Sequence, residues 1–182
     1  MDPLIAHQRA QDAFAAVLAN VGPDQLDAPT PCSEWTINDL IEHVLTGNEM
    51  VAQAAGHHQQ PPARPEGLTE AHRAGADAAQ QAFARPDGLD LVFDLPFGQF
   101  PARTFIAMRT TDVLTHAWDL AKATGQSTDV DPELATAQLA VARAGVPPEL
   151  RGPGKFFAAE QPCPVDRSPG DQLAAFLGRT LD

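Results

Sequence analysis

Apolar positions along the chain recur mainly with the period of a helix. Over residues 3–21, Phe14, Val17, Leu18 and Val21 fall at helical spacing, and the following Gly-Pro-Asp ends the pattern. A loop with three prolines, GPDQLDAPTPCSEW, leads to a second helix. Thr36 and Asp39 form a capping-box pair at its start, which satisfies free N–H groups of the first turn. Its inward stripe is Ile37, Leu40, Ile41, Val44, Leu45 and Val51. HHQQPPARPEG breaks this helix as an exposed loop, and an Ala-rich third helix is predicted over residues 68–84. The period then changes. LDLVFDLPFGQFPARTFI alternates around PFGQFP, which predicts a strand–turn–strand hairpin over residues 90–104. A fourth helix runs from Phe105 to Thr124 and stops at Gly125, a fifth covers residues 132–145, and SPGDQLAAFLGRTLD gives a short terminal helix after the loop GVPPELRGPG. The pattern is all-α with a small β-hairpin: a helical bundle with extra C-terminal helices, expected as one domain over residues 1–182.

Composition narrows the function classes. The 182 residues are 43% hydrophobic and 20% charged, ordinary for a folded chain. The formal net charge is -12 and the twelve basic residues are scattered, which argues against a nucleic-acid groove or an anionic membrane surface. No apolar run reaches the roughly 18 residues of a membrane span, and MDPLIAHQRAQDAF has no basic head followed by an apolar segment. Cys32 and Cys163 are too few for a disulfide framework and form no CxxC. These features lead us to expect a cytoplasmic, soluble protein, monomer or homodimer, that binds neither nucleic acid nor membrane.

The candidate chemistry lies in RTTDVLTHAWDLAKATG, Arg109 to Gly125. On a helical wheel Phe105, Asp112, His116, Leu120 and Ala123 share one side, so Asp112 and His116 sit on the apolar stripe, one turn apart. Burying them without partners would cost several kcal/mol each. A divalent metal would compensate, held by carboxylate and imidazole as a two-point clamp. His43, at the edge of the second helix's apolar face, is the leading third ligand, and Gly47 one turn later leaves room above it. A His–Asp–His set suits zinc first and also fits nickel or cobalt, with positions left open for water or substrate. Arg109 lies on the same stripe as Asp112, three residues away, so a buried ion pair explains Asp112 without any metal. His7, on the inner face of the first helix, is a candidate pocket residue or alternative ligand. His57, His58 and His72 read as solvent-side, Cys32 as a packed thiol, Trp35 and Trp118 as core, and Asp119 as a cap or surface partner on another face from His116. The spacing shows no phosphate loop, nucleophile elbow or nucleotide fingerprint.

Two stretches carry a family resemblance. PTPCSEWTINDLIEHVLTGN (29–48) resembles the Pro–Cys–x–x–Trp … Leu–x–x–His segment of the mycothiol-dependent maleylpyruvate isomerase N-terminal family, and TTDVLTHAWDLAKATGQ (110–126) resembles its second signature. The closing AAFLGRTLD is similar to the Leu–Gly–Arg ending of the family's metal-binding, uncharacterised branch. The resemblance implies a DinB-like antiparallel four-helix bundle with a divalent metal between helices. Carried over by motif, the ligands are His43, Asp112 and His116. The isomerase has glutamate where this chain has Asp112; aspartate is one methylene shorter and would draw the metal toward the fourth helix. Residues 132–182 are too short to form the isomerase's separate C-terminal domain. The function the resemblance implies is a metal-dependent transferase or isomerase that uses a small thiol such as mycothiol as thiolate. Its partners would be that thiol or an electrophilic substrate. The alternative is a metal-binding module or sensor without catalysis. Arg109 then either pairs with Asp112 or holds an anionic group of the ligand.

Overall fold

A computed structural model describes residues 1–32, 34–56, 63–155 and 158–181. His57 and His58 lie outside the described residues. The chain is mostly helical, with 61% helix, and the described residues form six helices and a two-stranded antiparallel hairpin. The order is α1 (Pro3–Leu18), α2 (Ile37–Ala55), α3 (Leu68–Ala84), β1 (Val92–Leu95), β2 (Gly98–Pro101), α4 (Ala102–Ala123), α5 (Pro132–Gly145) and α6 (Pro169–Phe176). The first four helices pack in the ring order α1–α4–α2–α3, and α5 and α6 pack on each other and on α4.

Local chemistry sets most boundaries. Asp2 caps α1 through the N–H groups of Leu4 and Ile5, with Pro3 in the first turn, where a missing N–H costs nothing. The capping box of Thr36 and Asp39 forms as expected. Three expected boundaries shift. The first helix ends at Leu18 rather than at residue 21. The fourth begins at Ala102, its N–H bonded to the Leu91 carbonyl at 2.8 Å, so the residues after β2 turn at once into helix. The terminal helix ends at Phe176, because Gly178 adopts φ 94° and the chain reverses there. A Cβ at Gly178 would lie 2.4 Å from the Ala158 Cβ, so both the conformation and the space require glycine.

The bundle interior holds two apolar clusters. One joins Phe14, Ile41, Leu45, Val113 and Leu120 with α5 and α6. The other joins Val51, Phe83, Phe93, Phe105 and Ile106 around the hairpin. Between them runs a polar layer in which each bundle helix places a polar side chain on its inner face. Gln11, Asn48, His72 and Arg109 are all buried there. Gln11 donates to Asn48 Oδ1 at 2.8 Å, Asn48 donates back to Gln11 Oε1 at 3.1 Å, and His72 Nε2 lies 3.0 Å from the same Gln11 oxygen. His72 therefore is not solvent-side, as its sequence context suggested, but is 2% exposed in the core. Its position on α3 faces Phe14 of α1 at 5.0 Å between ring centroids. Trp118 is core, as expected, and donates its indole N–H to Asp171 at 2.8 Å.

The polar layer makes the fold acid-sensitive. Burial pushes His7 and His72 from 6.5 down to about 4, outweighing the Gln80 hydrogen bond at His7 and the charges of Asp12 and Asp77 near His72. Both histidines take up protons in the unfolded chain before they do in the folded one. Their contribution is thus complete above about pH 6.5 and is lost as pH falls toward 4, by about 3 kcal/mol each at most. Urea unfolding followed across that range should show this loss. His72→Gln, which keeps a donor for Gln11 and removes one titration, should reduce it by about half; an unchanged profile in the variant would contradict the assignment.

Candidate metal centre

Helices α2 and α4 lie side by side, and the apolar periodicity of each leaves one polar face turned to the other. His43 on α2 meets Asp112 and His116 on α4. His43 Nε2 is 3.2 Å from Asp112 Oδ2 and 3.4 Å from Oδ1, and His116 Nε2 is 3.4 Å from Oδ1. The three thus converge, with ligand atoms within 4.8 Å of one another. Asp112 Oδ2 accepts from Arg109 Nη1 at 2.6 Å and is also the oxygen nearer His43, while Oδ1 stands 3.4 Å from each imidazole. The spacing has a chemical meaning. Three donors about 2.1 Å from one ion at near-tetrahedral angles stand roughly 3.4 Å apart, and each imidazole nitrogen stands at that distance from Asp112 Oδ1.

Arg109 is 6% exposed and is held from three sides. Besides Asp112, its Nη2 donates to Asn48 Oδ1 at 3.2 Å and to the Val44 carbonyl at 3.4 Å. The guanidinium occupies the space beside Gly47, where a Cβ would come within 2.5 Å of its Cζ. The room that Gly47 leaves above His43 is thus filled by arginine. The ion pair and the donor triad, alternatives when read from spacing, coexist on the two oxygens of one carboxylate.

His116 is fixed from behind. Its Nδ1 donates to Asp119 Oδ2 at 3.0 Å, which leaves Nε2 to face Asp112 and His43. Asp119 is fully buried, a correction to its expected place on the helix surface: three residues on from His116 is only about 60° around the wheel, the same side. Arg179 clamps Asp119 with Nε to Oδ1 at 3.2 Å and Nη2 to Oδ2 at 2.9 Å. It reaches there because the chain reverses at Gly178. Cys32 is likewise not packed in apolar surroundings. Its thiol lies 3.6 Å from Asp119 Oδ2 and 3.3 Å from Arg179 Nη2. Cys32, His116 and Asp119 form a second group of metal-ligand type, but the Arg179 cation already sits between its thiol and carboxylate. Trp35, expected as core, packs against the core cluster and also lines the cavity, its ring centroid 4.8 Å from His43 and 5.5 Å from His116.

Electrostatics follow this geometry. Burial pushes the Asp112 carboxyl up, but the charges of His116 and Arg109 and the hydrogen bonds from His116 and His43 outweigh it and hold the group well below the usual carboxylate range. Burial pulls His116 down, and the Asp112 charge with hydrogen bonds to Asp112 and Asp119 overrides it, raising the imidazole well above its ordinary value. His43 and Asp112 line a cavity of about 1200 Å³ between α2, α4, the hairpin and the C-terminal segment, with Arg109 and Arg179 also on its wall, and His116 is buried behind them. His7 stands apart from it. Its Nδ1 lies 2.8 Å from Gln80 and its ring packs on Phe83, within the polar layer. Among the described residues, no helix is long and apolar enough to cross a membrane.

Comparison with known proteins agrees with the two sequence motifs. The family model for the mycothiol maleylpyruvate isomerase N-terminal domain matches residues 7–121, which span α1 through most of α4. Two uncharacterized proteins of Mycobacterium tuberculosis, from strains CDC 1551 / Oshkosh and ATCC 25618 / H37Rv, are each 67% identical over 181 residues, covering 100% of both chains. No solved structure matches the chain.

The contact between Gly47 and Arg109 is directly testable. Gly47→Ala should destabilise the protein by roughly 1–3 kcal/mol, since the guanidinium is held by Asn48 and Asp112 and has no free direction of retreat. The cost should shrink in an Arg109→Met background, where the methyl has room. Denaturant unfolding of the two single variants and the double variant checks this; equal costs in both backgrounds would sever the link.

Proposed function

We propose that this chain, which belongs to the mycothiol maleylpyruvate isomerase N-terminal domain family, holds one divalent cation on His43, Asp112 and His116 and works on a small thiol beside it. The observation that carries the reading is the triad itself: two imidazole nitrogens, each 3.4 Å from Asp112 Oδ1, with His43 and Asp112 on the wall of a large cavity. Three protein ligands leave the ion open on the cavity side, which is the arrangement of a reactive rather than a structural centre. Zinc suits this donor set, and nickel or cobalt also fit it. When bound, the cation would keep a coordinating thiol deprotonated at neutral pH and so supply a nucleophile.

The chain's own residues do the rest. Asp119 holds the His116 proton on Nδ1 and keeps Nε2 directed at the site, with Arg179 locking that carboxylate in turn. Arg109 draws Asp112 Oδ2 aside and offsets its charge, leaving Oδ1 as the presented donor. Trp35 covers both imidazole rings and limits water on that side. The chemistry is thiol transfer or isomerisation, with the small thiol, of mycothiol type, and an electrophile as the reactants.

Elemental analysis of protein purified without a polyhistidine column is the test. Wild-type protein should carry about one divalent ion per chain. His116→Ala should lose it while retaining its helical circular dichroism, because both apolar clusters are untouched. Cys32→Ser should keep it, since Cys32 lies on the Nδ1 side of His116, away from Asp112. A His116→Ala variant that keeps its metal, paired with a Cys32→Ser variant that loses it, would move the site to the second group.

A further inference from the structure

Four of the eight large apolar side chains left exposed among the described residues share one place. Phe97 is 54% exposed, Met108 43%, Val141 45% and Leu150 44%, and all four line the cavity that His43 and Asp112 also line. Behind this rim the hairpin and the start of α4 build an aromatic wall. Phe97 stands 5.5 Å from Phe100 and 6.3 Å from Phe105 between ring centroids, and Phe100 stands 6.2 Å from Phe105. Met50 and Met108, flexible and polarizable, flank it.

The charges on the same wall are spoken for. Arg109 is bonded to Asp112 and Asn48, and Arg179 to Asp119 and the Leu177 carbonyl. These are the guanidinium groups that line the cavity among the described residues. Its other side carries Glu34, Asp39 and Glu42, within a chain of net charge -12. A carboxylate or sulfonate entering the apolar end meets no unpaired cation there, and the α2 side offers it only carboxylates, of which Glu42 is bonded to Arg64.

We infer that the apolar end of the cavity selects an uncharged, apolar co-substrate, aromatic or branched alkyl, and lays it on the wall of Phe97, Phe100 and Phe105 with its reactive end toward His43 and Asp112. The inference rests on the reading of the triad as the reactive centre, and it adds the class of the second reactant: the part of it that lies at the apolar end, away from the triad, is uncharged. Apolar area removed from water supplies the binding, and the polar triad at one end sets the orientation.

A matched pair of dyes tests it. N-phenyl-1-naphthylamine is neutral, and 8-anilino-1-naphthalenesulfonate is nearly the same ring body with a sulfonate. On the full-length protein, with and without prior EDTA treatment, the neutral dye should bind at one site per chain, at least tenfold more tightly than the sulfonate. Phe97→Ser with Met108→Gln, both at exposed positions, should weaken the neutral dye about tenfold. Val165→Ser, at an exposed apolar residue off the cavity wall, should leave it unchanged. Equal or tighter binding of the sulfonate would overturn the inference. So would a dimer that the double variant dissociates together with absence of dye binding, which would assign this face to a second copy of the chain. Failure of the metal reading looks different: wild-type protein without bound metal that still takes the neutral dye. Metal-loaded protein that does not bind the dye refutes the present inference alone.

Discussion

A guanidinium buried in the middle of a helical bundle dictates much of what surrounds it. Its charge has to be offset and its terminal N–H groups answered, or its burial would cost more than the bundle gains from packing it; Nε alone of its nitrogens is left without a partner. Here Asp112 offsets the charge, Asn48 and the Val44 carbonyl answer Nη2, and Gln11 with His72 completes the polar layer behind Asn48. The carboxylate that balances Arg109 is the same one that faces two imidazoles. The bundle therefore cannot relax the ion pair without moving the donor triad, nor the triad without exposing a buried charge.

What was legible in the sequence and what was not divides along a physical line. Helix periods, the capping box of Thr36 and Asp39 and the alternation around PFGQFP are local signals, and they gave the elements to within a few residues. Asp112 and His116 were visible because a carboxylate and an imidazole on an apolar stripe need an explanation. His43 was visible from its place at the edge of such a stripe, and the family motif pointed to it as well. The misplaced residues depend on what another element presents. His72 looked solvent-facing from α3 alone, and only Gln11 and Asn48 on other helices give it a reason to be buried. Cys32 lies in a loop, where no period constrains direction. Arg179 owes its role to a chain reversal at Gly178 that brings residues 60 apart in sequence into contact. Asp119 was within reach of wheel arithmetic, since its offset from His116 already put it on the same side.

The segments outside the four-helix ring have a common task. The hairpin supplies Phe97 and Phe100, α5 supplies Val141, and the C-terminal reversal supplies Leu177 and Arg179, all to the same cavity. The bundle sets the donors in place, and these additions decide what surrounds them: apolar walls on one side, a clamped carboxylate behind His116 on the other. The arrangement separates two demands on one chain, since the rim can vary in shape while the ring that holds the triad stays fixed.

Gly47 contributes no side-chain atom to any of this, yet the charge presented to the cavity is decided there. Because its α-carbon bears only hydrogen, Arg109 can lie flat against α2 and cancel the carboxylate it touches. Two neutral imidazoles and a cancelled carboxylate would confer no net negative charge on an ion they hold. The ion's full double charge would then remain available to the coordinating thiolate, where an uncompensated carboxylate would have halved it. The Lewis acidity of such a centre would be set by a residue that lacks a functional group.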